Sequence, residues 1–180
     1  MNIVIRNATL KDINDIQALS QKLIEYEYNL CKNKYMVNLN WSYSDDGYKT
    51  FKMLIEKHYV YVAEHNNKII GYMAGRIISK SSCDTFDVMK LDNLYIEELY
   101  RNYGIGTSFL NIFKEICLNN KIDFIKLDTL SDNEKTIKFY KKNGLYNYNT
   151  IMMCNLNNDN SVKNINNTTN KNIKIKQLIK

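Results

Sequence analysis

Residues 100–110 read YRNYGIGTSFL, with an arginine three positions before the first of two glycines and an apolar helical pattern directly after them. The first N–H groups of a helix have no partner within the helix, and the helix dipole makes this end positive, so such a segment can bind an anion. Gly104 and Gly106 would let the backbone approach a bulky diphosphate without a Cβ in the way. Arg101 can add a charge-assisted contact and Thr107 a hydroxyl. The alternative is a plain turn that contains glycine.

Two common phosphate-binding loops do not fit this segment. The pattern G-x-G-x-x-G would need glycine at position 109, which is Phe109. The pattern G-x-x-x-x-G-K-[ST] is absent from the chain, so we do not expect a nucleoside-triphosphate hydrolase.

A second candidate for chemistry is Asp92, which interrupts an apolar strand pattern. Residues 86–98 read FDVMKLDNLYIEE and are typical of a strand in which Asp92 and Asn93 are the polar exceptions. A carboxylate placed in a buried strand beside a cleft is a candidate proton acceptor. The alternative is a carboxylate that backbone groups satisfy, or one at a sheet edge.

Hydrophobic periodicity and turn residues predict the elements that position these groups. Thr9 and Asp12 form a capping signal before the first helix. The dipeptide Asn66-Asn67 separates two β-rich runs and indicates a hairpin. Gly144 is placed to end the last helix. The predicted helices cover about 10–30, 47–57, 104–119 and 133–144, and the predicted strands about 2–9, 58–65, 68–79, 86–98, 123–130 and 145–156.

The order of these elements and two motifs resemble the GCN5-related N-acetyltransferases (GNATs). R-x-x-G-x-G between a strand and a helix resembles the loop with which that family binds the pyrophosphate of acetyl-CoA, and Asn133 followed by FYKKNGL at 139–145 resembles its second motif. Thr136 and Leu145 depart from the usual small residue and phenylalanine. The resemblance implies an α/β fold with a mixed, mostly antiparallel central sheet of six to seven strands, about four flanking helices, and an open cleft between two central strands.

The resemblance also implies roles for individual residues. Tyr140 would be the general acid that protonates the leaving thiolate, with a core aromatic as the alternative. Asp92 would be the base, acting through a water molecule because it is shorter than the glutamate of similar proteins. Asn133 would contact the CoA arm, cap a helix, or both. The residues implied in binding acetyl-CoA are Leu94, Tyr95 and Ile96 through their backbone, and Arg101, Asn102, Tyr103, Gly104, Ile105, Gly106, Thr107 and Asn133.

A closer resemblance, to the diamine (spermidine/spermine-type) N-acetyltransferases, rests on IRNATLKDINDIQALSQKLIEYEY, LDNLYI and the spacing of Asn133 and Tyr140. It implies that Tyr26, Glu27 and Asp92 line an amine site, with an ordinary amphipathic helix end as the alternative for the first two. The implied reaction is direct acetyl transfer in a ternary complex to a small cationic amine such as a polyamine. A protein N-terminus, a lysine or an aminoglycoside as acceptor, or a non-catalytic CoA-binding module, are the alternatives.

Composition and charge indicate which partners, metal sites and cellular location to expect. The chain has 180 residues and a net charge of +6, of which +4 lies in the Asn/Lys-rich residues 157–180, so nucleic-acid binding is not expected. We predict an N-acetyltransferase domain over 1–156 and a mobile tail over 157–180. The four cysteines are widely spaced and the two histidines have no cysteine between them, so no metal site is expected. No apolar run suits a signal peptide or a membrane span, which predicts a cytoplasmic protein. A homodimer is expected from the resemblance alone.

Overall fold

The computed structural model describes residues 2–31, 37–81 and 86–153. The chain divides into two units, Met1–Leu145 and Tyr146–Lys180. The predicted tail over 157–180 and the last residues of the predicted strand over 145–156 lie outside the described residues.

All four predicted helices are present, and five of the six predicted strands are. The strands are β1 (Val4–Asn7), β2 (Tyr59–His65), β3 (Lys68–Ile78), β4 (Val88–Ile96) and β5 (Phe124–Leu127). The helices are α1 (Ile13–Leu30), α2 (Asp45–Lys57), α3 (Ile105–Asn119) and α4 (Glu134–Lys142).

The strands form one mixed sheet in the order β1-β2-β3-β4-β5. Neighbouring strands are antiparallel except β4 and β5, which are parallel. The sequence predicts one strand more than the described residues form, because residues 146–153 contain none. The alternation of tyrosine and asparagine there favours a strand, but Tyr146 and Tyr148 are 69% and 83% exposed, so no buried face stabilises one.

Helices cover both faces of the sheet. β3 lies at its centre and is buried at seven consecutive positions, which explains its nearly continuous apolar sequence. One face packs against α3, with Phe139 and Tyr140 of α4 at its margin. The other face packs against α1 and α2. The main residues of the first cluster are Ile70, Met73, Met89, Leu91, Phe109, Leu110 and Phe113, and those of the second are Ile16, Leu19, Phe51, Leu54, Val62, Tyr72 and Ala74.

The hairpin between β2 and β3 forms where the sequence predicts it. Asn66 and Asn67 have φ values of 50° and 60°, and asparagine tolerates this left-handed region better than most residues. Such a two-residue turn matches the twist of the strands on either side. The hairpin fixes the register of β2 against β3.

A charged contact joins β1 to the start of α1. Asp12 accepts hydrogen bonds from the backbone N–H of Thr9 at 2.7 Å and from Nη1 and Nη2 of Arg6 at 2.9 and 2.8 Å. The capping role of Asp12 was predicted, whereas the contribution of Arg6 was not. Arg6 also donates from Nε to Glu64 on β2 at 2.9 Å, so this cluster links two strands to the first helix.

Candidate active site

A cleft opens where β4 and β5 part. The two strands pair only from Val88 with Phe124 to Leu91 with Leu127. Beyond Leu91, β4 continues to Ile96 and stays paired with β3 on its other side. The backbone groups of residues 94–96 that point away from β3 therefore have no strand partner within the described residues. This is the stretch that the sequence resemblance assigns to the pantetheine arm.

A β-bulge lies at the same point of β4. Ala74 of β3 is opposite Asn93 and Gly75 is opposite Leu91, so Asp92 is an extra residue without a partner on β3. A bulge redirects side chains and bends the strand, which fits the parting of β4 from β5 one residue after their last pair.

The Asp92 side chain is largely enclosed and lies against a cation. It is 14% exposed, and its Oδ2 is 3.2 Å from Nη1 of Arg76 on β3. This oxygen is buried and makes no hydrogen bond, so the contact with Arg76 is ionic rather than a well-directed bond. Burial raises the pKa of Asp92, and the charges of Arg76, Lys90 and His58 oppose that rise.

The glycine loop leads directly into α3. Asn102 and Gly104 have φ values of 68° and 83°, and α3 begins at Ile105. Ser108 N–H donates to the Gly104 carbonyl at 2.9 Å and closes the first turn. A Cβ on Gly104 would have no atom within 4 Å, so space beside this backbone is open. That the first turn of α3 binds an anion stays a prediction.

The second glycine has a packing role that the sequence did not reveal. A Cβ on Gly106 would lie 2.9 Å from Cζ of Phe139 and 3.4 Å from Cδ1 of Ile96. Gly106 therefore lets α3 approach Phe139 of α4 closely. The prediction that this glycine serves the approach of a diphosphate stays a prediction.

Arg101 lies between the end of β4 and α1. Its Nε donates to the Ile96 carbonyl at 3.0 Å, and its Nη1 is 3.3 Å from Glu98. The guanidinium also stacks over the rings of Tyr26 and Tyr95, 5.9 and 5.6 Å from their centroids. These cation–π contacts bring Arg101, which is predicted to bind CoA, next to Tyr26, which is predicted to line the amine site.

Asn133 joins α4 to the end of α1. Its Oδ1 accepts the Thr136 N–H at 3.2 Å, which caps α4, and also the Tyr26 hydroxyl at 3.2 Å. The capping alternative from the sequence is therefore present. The Tyr26 bond was not predicted, although both residues were separately assigned to the site.

Tyr140 lies on α4 beside Phe139, with ring centroids 5.2 Å apart. Burial raises its pKa above the ordinary tyrosine value, and the negative charge of Glu27 raises it further. Glu27 on α1 is itself partly buried, which raises the pKa of its carboxyl. The structure thus brings Glu27 and the predicted acid into electrostatic reach of each other.

Sequence reasoning missed Arg76 and Tyr72. Arg76 is the single charged residue inside the apolar run of β3 after Lys68, and that isolation was a usable signal. Tyr72 is fully buried between the sheet and α1, and its hydroxyl makes no hydrogen bond within the described residues. Burial makes the largest contribution to its raised pKa, and the charge of Glu27 adds to it.

A separate depression of about 370 Å³ lies between β1 and the start of α3. It touches Tyr103 and Ile105 of the predicted CoA loop but neither Tyr140 nor Asp92. Among the described residues, no group of three acidic, cysteine or histidine side chains is arranged to hold a metal. Nor does any helix within residues 2–31, 37–81 and 86–153 have the length and apolar character to cross a membrane.

Comparison with known proteins shows a family match and similar folds. Residues 21–145 match the model of the Acetyltransferase (GNAT) family. The uncharacterized protein YxbD of Bacillus subtilis (strain 168) is 33% identical over 79 residues, which span 44% of each protein. The PaiA N-acetyltransferase of Thermoplasma acidophilum, solved with coenzyme A, superposes with a TM-score of 0.70 at 20% identity over 84% of this chain and 94% of that one. The aminoglycoside N-acetyltransferase AAC(6')-Iy, also solved with CoA, gives 0.66 at 14% identity over 86% and 94%.

Proposed function

Because this chain belongs to the acetyltransferase (GNAT) family, we propose that it transfers the acetyl group of acetyl-CoA to a primary amine by direct attack in a ternary complex. The observation that carries the proposal is the parting of β4 from β5 at the Asp92 bulge, which leaves the end of β4 without a strand partner on the β5 side. This arrangement offers a long ligand both an open strand edge and an anion site.

The residues present fit coenzyme A. Free N–H groups in the first turn of α3 and the open space beside Gly104 suit a pyrophosphate. Backbone groups at the end of β4 that point away from β3 have no strand partner among the described residues and suit the amides of a pantetheine arm, although the Ile96 carbonyl already accepts a hydrogen bond from Arg101. Asn133 would contact the same arm, and Arg101, Asn102, Tyr103, Ile105, Gly106 and Thr107 complete the proposed site.

The chemistry follows from what acetyl transfer requires. The amine must be neutral to attack, the carbonyl oxygen needs N–H donors as charge develops, and the thiolate needs a proton. Tyr140 is the proposed acid because its raised pKa keeps the hydroxyl protonated at neutral pH. A carboxylate of the cleft takes the amine proton, and Asp92 is the candidate that the sequence proposes. Backbone N–H groups near Leu94 are proposed to polarise the carbonyl.

The proposed acceptor is a small cationic amine. Tyr26, Glu27 and Asp92 provide an aromatic ring and two carboxylates, which favour a cation such as a polyamine. An aminoglycoside is the second candidate, because an aminoglycoside N-acetyltransferase shares the fold. We further propose residues 1–156 as the acetyltransferase domain with a tail over 157–180. Cytoplasmic location and a homodimer stay predictions.

The test is a thiol-release assay with acetyl-CoA and a panel of polyamines, aminoglycosides and peptides. We expect CoA release that depends on a polyamine or an aminoglycoside and saturates with its concentration. Turnover on peptides alone would contradict the small-amine acceptor. Tight CoA binding without turnover on any amine would overturn the proposed transfer itself.

A further inference from the structure

Two carboxylates lie near the reaction centre, and their surroundings differ. Asp92 is 14% exposed, and one of its oxygens is both sealed from solvent and 3.2 Å from Arg76. Lys90 and His58 also act on it, so cationic groups surround this carboxylate more than anionic ones do. Burial raises the pKa of Asp92, and the ion pair with Arg76 opposes that rise, so the fixed cation makes this carboxylate a weaker proton acceptor than burial alone would.

Glu27 has no such partner. Its carboxylate makes no ion pair or hydrogen bond with any residue that the structure describes. Unlike Oδ2 of Asp92, neither of its oxygens is a fully buried atom without a hydrogen bond. The side chain is nevertheless partly buried, because it lies on α1 seven residues after Ser20, which is 1% exposed against the sheet. Residues seven apart share a helix face, about 10 Å apart along the axis.

The residue before Glu27 contacts both the start of α4 and the arginine of the loop before α3. The Tyr26 hydroxyl donates to Asn133 at the start of α4 at 3.2 Å, and the guanidinium of Arg101 stacks on the Tyr26 ring. This end of α1 is therefore tied to the helix that carries Tyr140. The effect of the Glu27 charge on both Tyr140 and Tyr72 agrees with that placement.

We propose that Glu27, rather than Asp92, is the catalytic group that takes the proton from the incoming ammonium. This inference rests on the acetyl transfer proposed above and deepens it. It is also distinct from a role for Glu27 in binding the amine alone, because it concerns the proton that must leave before attack.

The proposed sequence of proton transfers balances. The ammonium gives one proton to the Glu27 carboxylate, and the neutral amine forms a C–N bond with the acetyl carbonyl carbon. As the C–S bond breaks, the Tyr140 hydroxyl protonates the sulfur. The second nitrogen proton restores the Tyr140 hydroxyl, and Glu27 releases its proton to solvent. The products are an N-acetyl amine, CoA thiol and one proton.

In this scheme Asp92 is a positioning residue. Its ion pair with Arg76 spans the bulge that separates β4 from β5, so the pair would hold the shape of the cleft rather than accept a proton. Loss of the Asp92 charge would then leave Arg76 unpaired and disturb the bulge, but it would not remove the titration that controls the rate at low pH.

The direction of the pH dependence follows from the surroundings of Glu27. The titratable groups that face it are Tyr72 from β3 and Tyr140 from α4, and both are neutral near pH 7. The nearby cation on the loop, Arg101, is bonded to Ile96 and Glu98. Burial therefore dominates and raises the Glu27 pKa above its ordinary 4.5. Since the base must be ionised, kcat should fall as pH drops through that raised value.

The experiment measures kcat and kcat/KM from pH 5 to 10 for the full chain and four variants, with the best amine from the panel. Glu27→Gln should lower kcat at pH 7 by about 100-fold or more and abolish the acid limb of its profile. High pH should restore part of the loss, because the amine then arrives neutral. Glu27→Asp should keep an acid limb at reduced kcat. Glu25→Gln is the matched control, since Glu25 is an exposed residue of the same helix, and it should match the wild type.

The Asp92→Asn variant distinguishes the role of Asp92 from that of Glu27. We expect it to keep the acid limb, and CoA affinity measured by calorimetry controls for folding in every variant. If Glu27→Gln raises KM while kcat and its acid limb stay unchanged, Glu27 only binds the amine and the proposal is wrong. If Asp92→Asn removes the acid limb instead, Asp92 is the base. Wild-type failure with every amine would overturn the acetyl transfer, which is a separate result.

Discussion

Tyr140 and Glu27 come from different helices, and the negative charge of Glu27 raises the pKa of Tyr140. Burial keeps the Tyr140 hydroxyl protonated, and a nearby negative charge strengthens that preference. A neutral hydroxyl and an ionised carboxylate can serve as acid and base in one turnover. The motif proposes Tyr140 as the acid, and that role stays a prediction. Its electrostatic coupling to α1 depends on how two distant segments fold together.

Removal of the Tyr140 hydroxyl should slow acetyl transfer while leaving the cleft intact. We expect Tyr140→Phe to lower kcat by about 100-fold or more, because the thiolate would leave without a proton. The change keeps the ring contact with Phe139, so CoA affinity measured by calorimetry should stay within about twofold. Unchanged kcat across the pH range would show that another group donates the proton.

The wild-type pH profile offers a second check on the same side chain. Because the Tyr140 pKa lies above 10.0, its protonated form persists through neutral pH and is lost only in strongly basic solution. We therefore expect that ionisation of this tyrosine causes no fall in kcat below pH 10. A basic limb near pH 8 that disappears in Tyr140→Phe would contradict the raised pKa.

A few close contacts between helices and strands position the elements around the site. α3 touches α4 where Gly106 meets Phe139, and Phe139 is the neighbour of Tyr140. β1 is tied to α1 through Arg6 and Asp12. Both contacts lie between elements of the proposed site, so substitutions there should alter rate or stability in distinguishable ways.

The two glycines of the loop should respond differently to alanine. In Gly106→Ala the new Cβ would meet Phe139 at 2.9 Å, so α4 must shift, and kcat should fall by up to about 100-fold. Gly104→Ala meets no atom within 4 Å, and its φ of 83° should cost about 1 kcal/mol in the free energy of unfolding. Steady-state kinetics and urea unfolding separate the two effects. If Gly106→Ala weakens CoA binding with kcat unchanged, this glycine serves the ligand rather than α4.

The contact between Arg6 and Asp12 should stabilise the fold in a pH-dependent way. Hydrogen bonds from Arg6 hold the pKa of Asp12 at about 2, below its ordinary 3.8. The stabilisation is thus complete above about pH 4 and is lost as pH falls towards 2. Asp12→Asn should lower the free energy of unfolding by about 2 kcal/mol at pH 6, and the difference should shrink at pH 3. A constant difference between pH 6 and pH 2 in urea titrations would contradict the ion pair.

Taken as a whole, the molecule shows which features local sequence can predict. Periodicity was enough for the four helices, and the paired asparagines were enough for the hairpin, because both depend on residues close in sequence. The contact of Arg76 with Asp92 depends on strand register, so sequence did not reveal it. The predicted last strand lacks a buried face in residues 146–153, and propensity alone does not supply one.

The central claim, direct N-acetylation in a cleft between β4 and β5, has one decisive measurement. The full chain is incubated with acetyl-CoA labelled in its acetyl group and with the best amine of the panel, and the label is followed by mass spectrometry of both the amine and the protein. The account predicts label on the amine nitrogen, none retained on the protein, and label transfer that is strongly reduced in Tyr140→Phe. A labelled protein that passes its acetyl group to the amine, or no labelled amine at all, would contradict it.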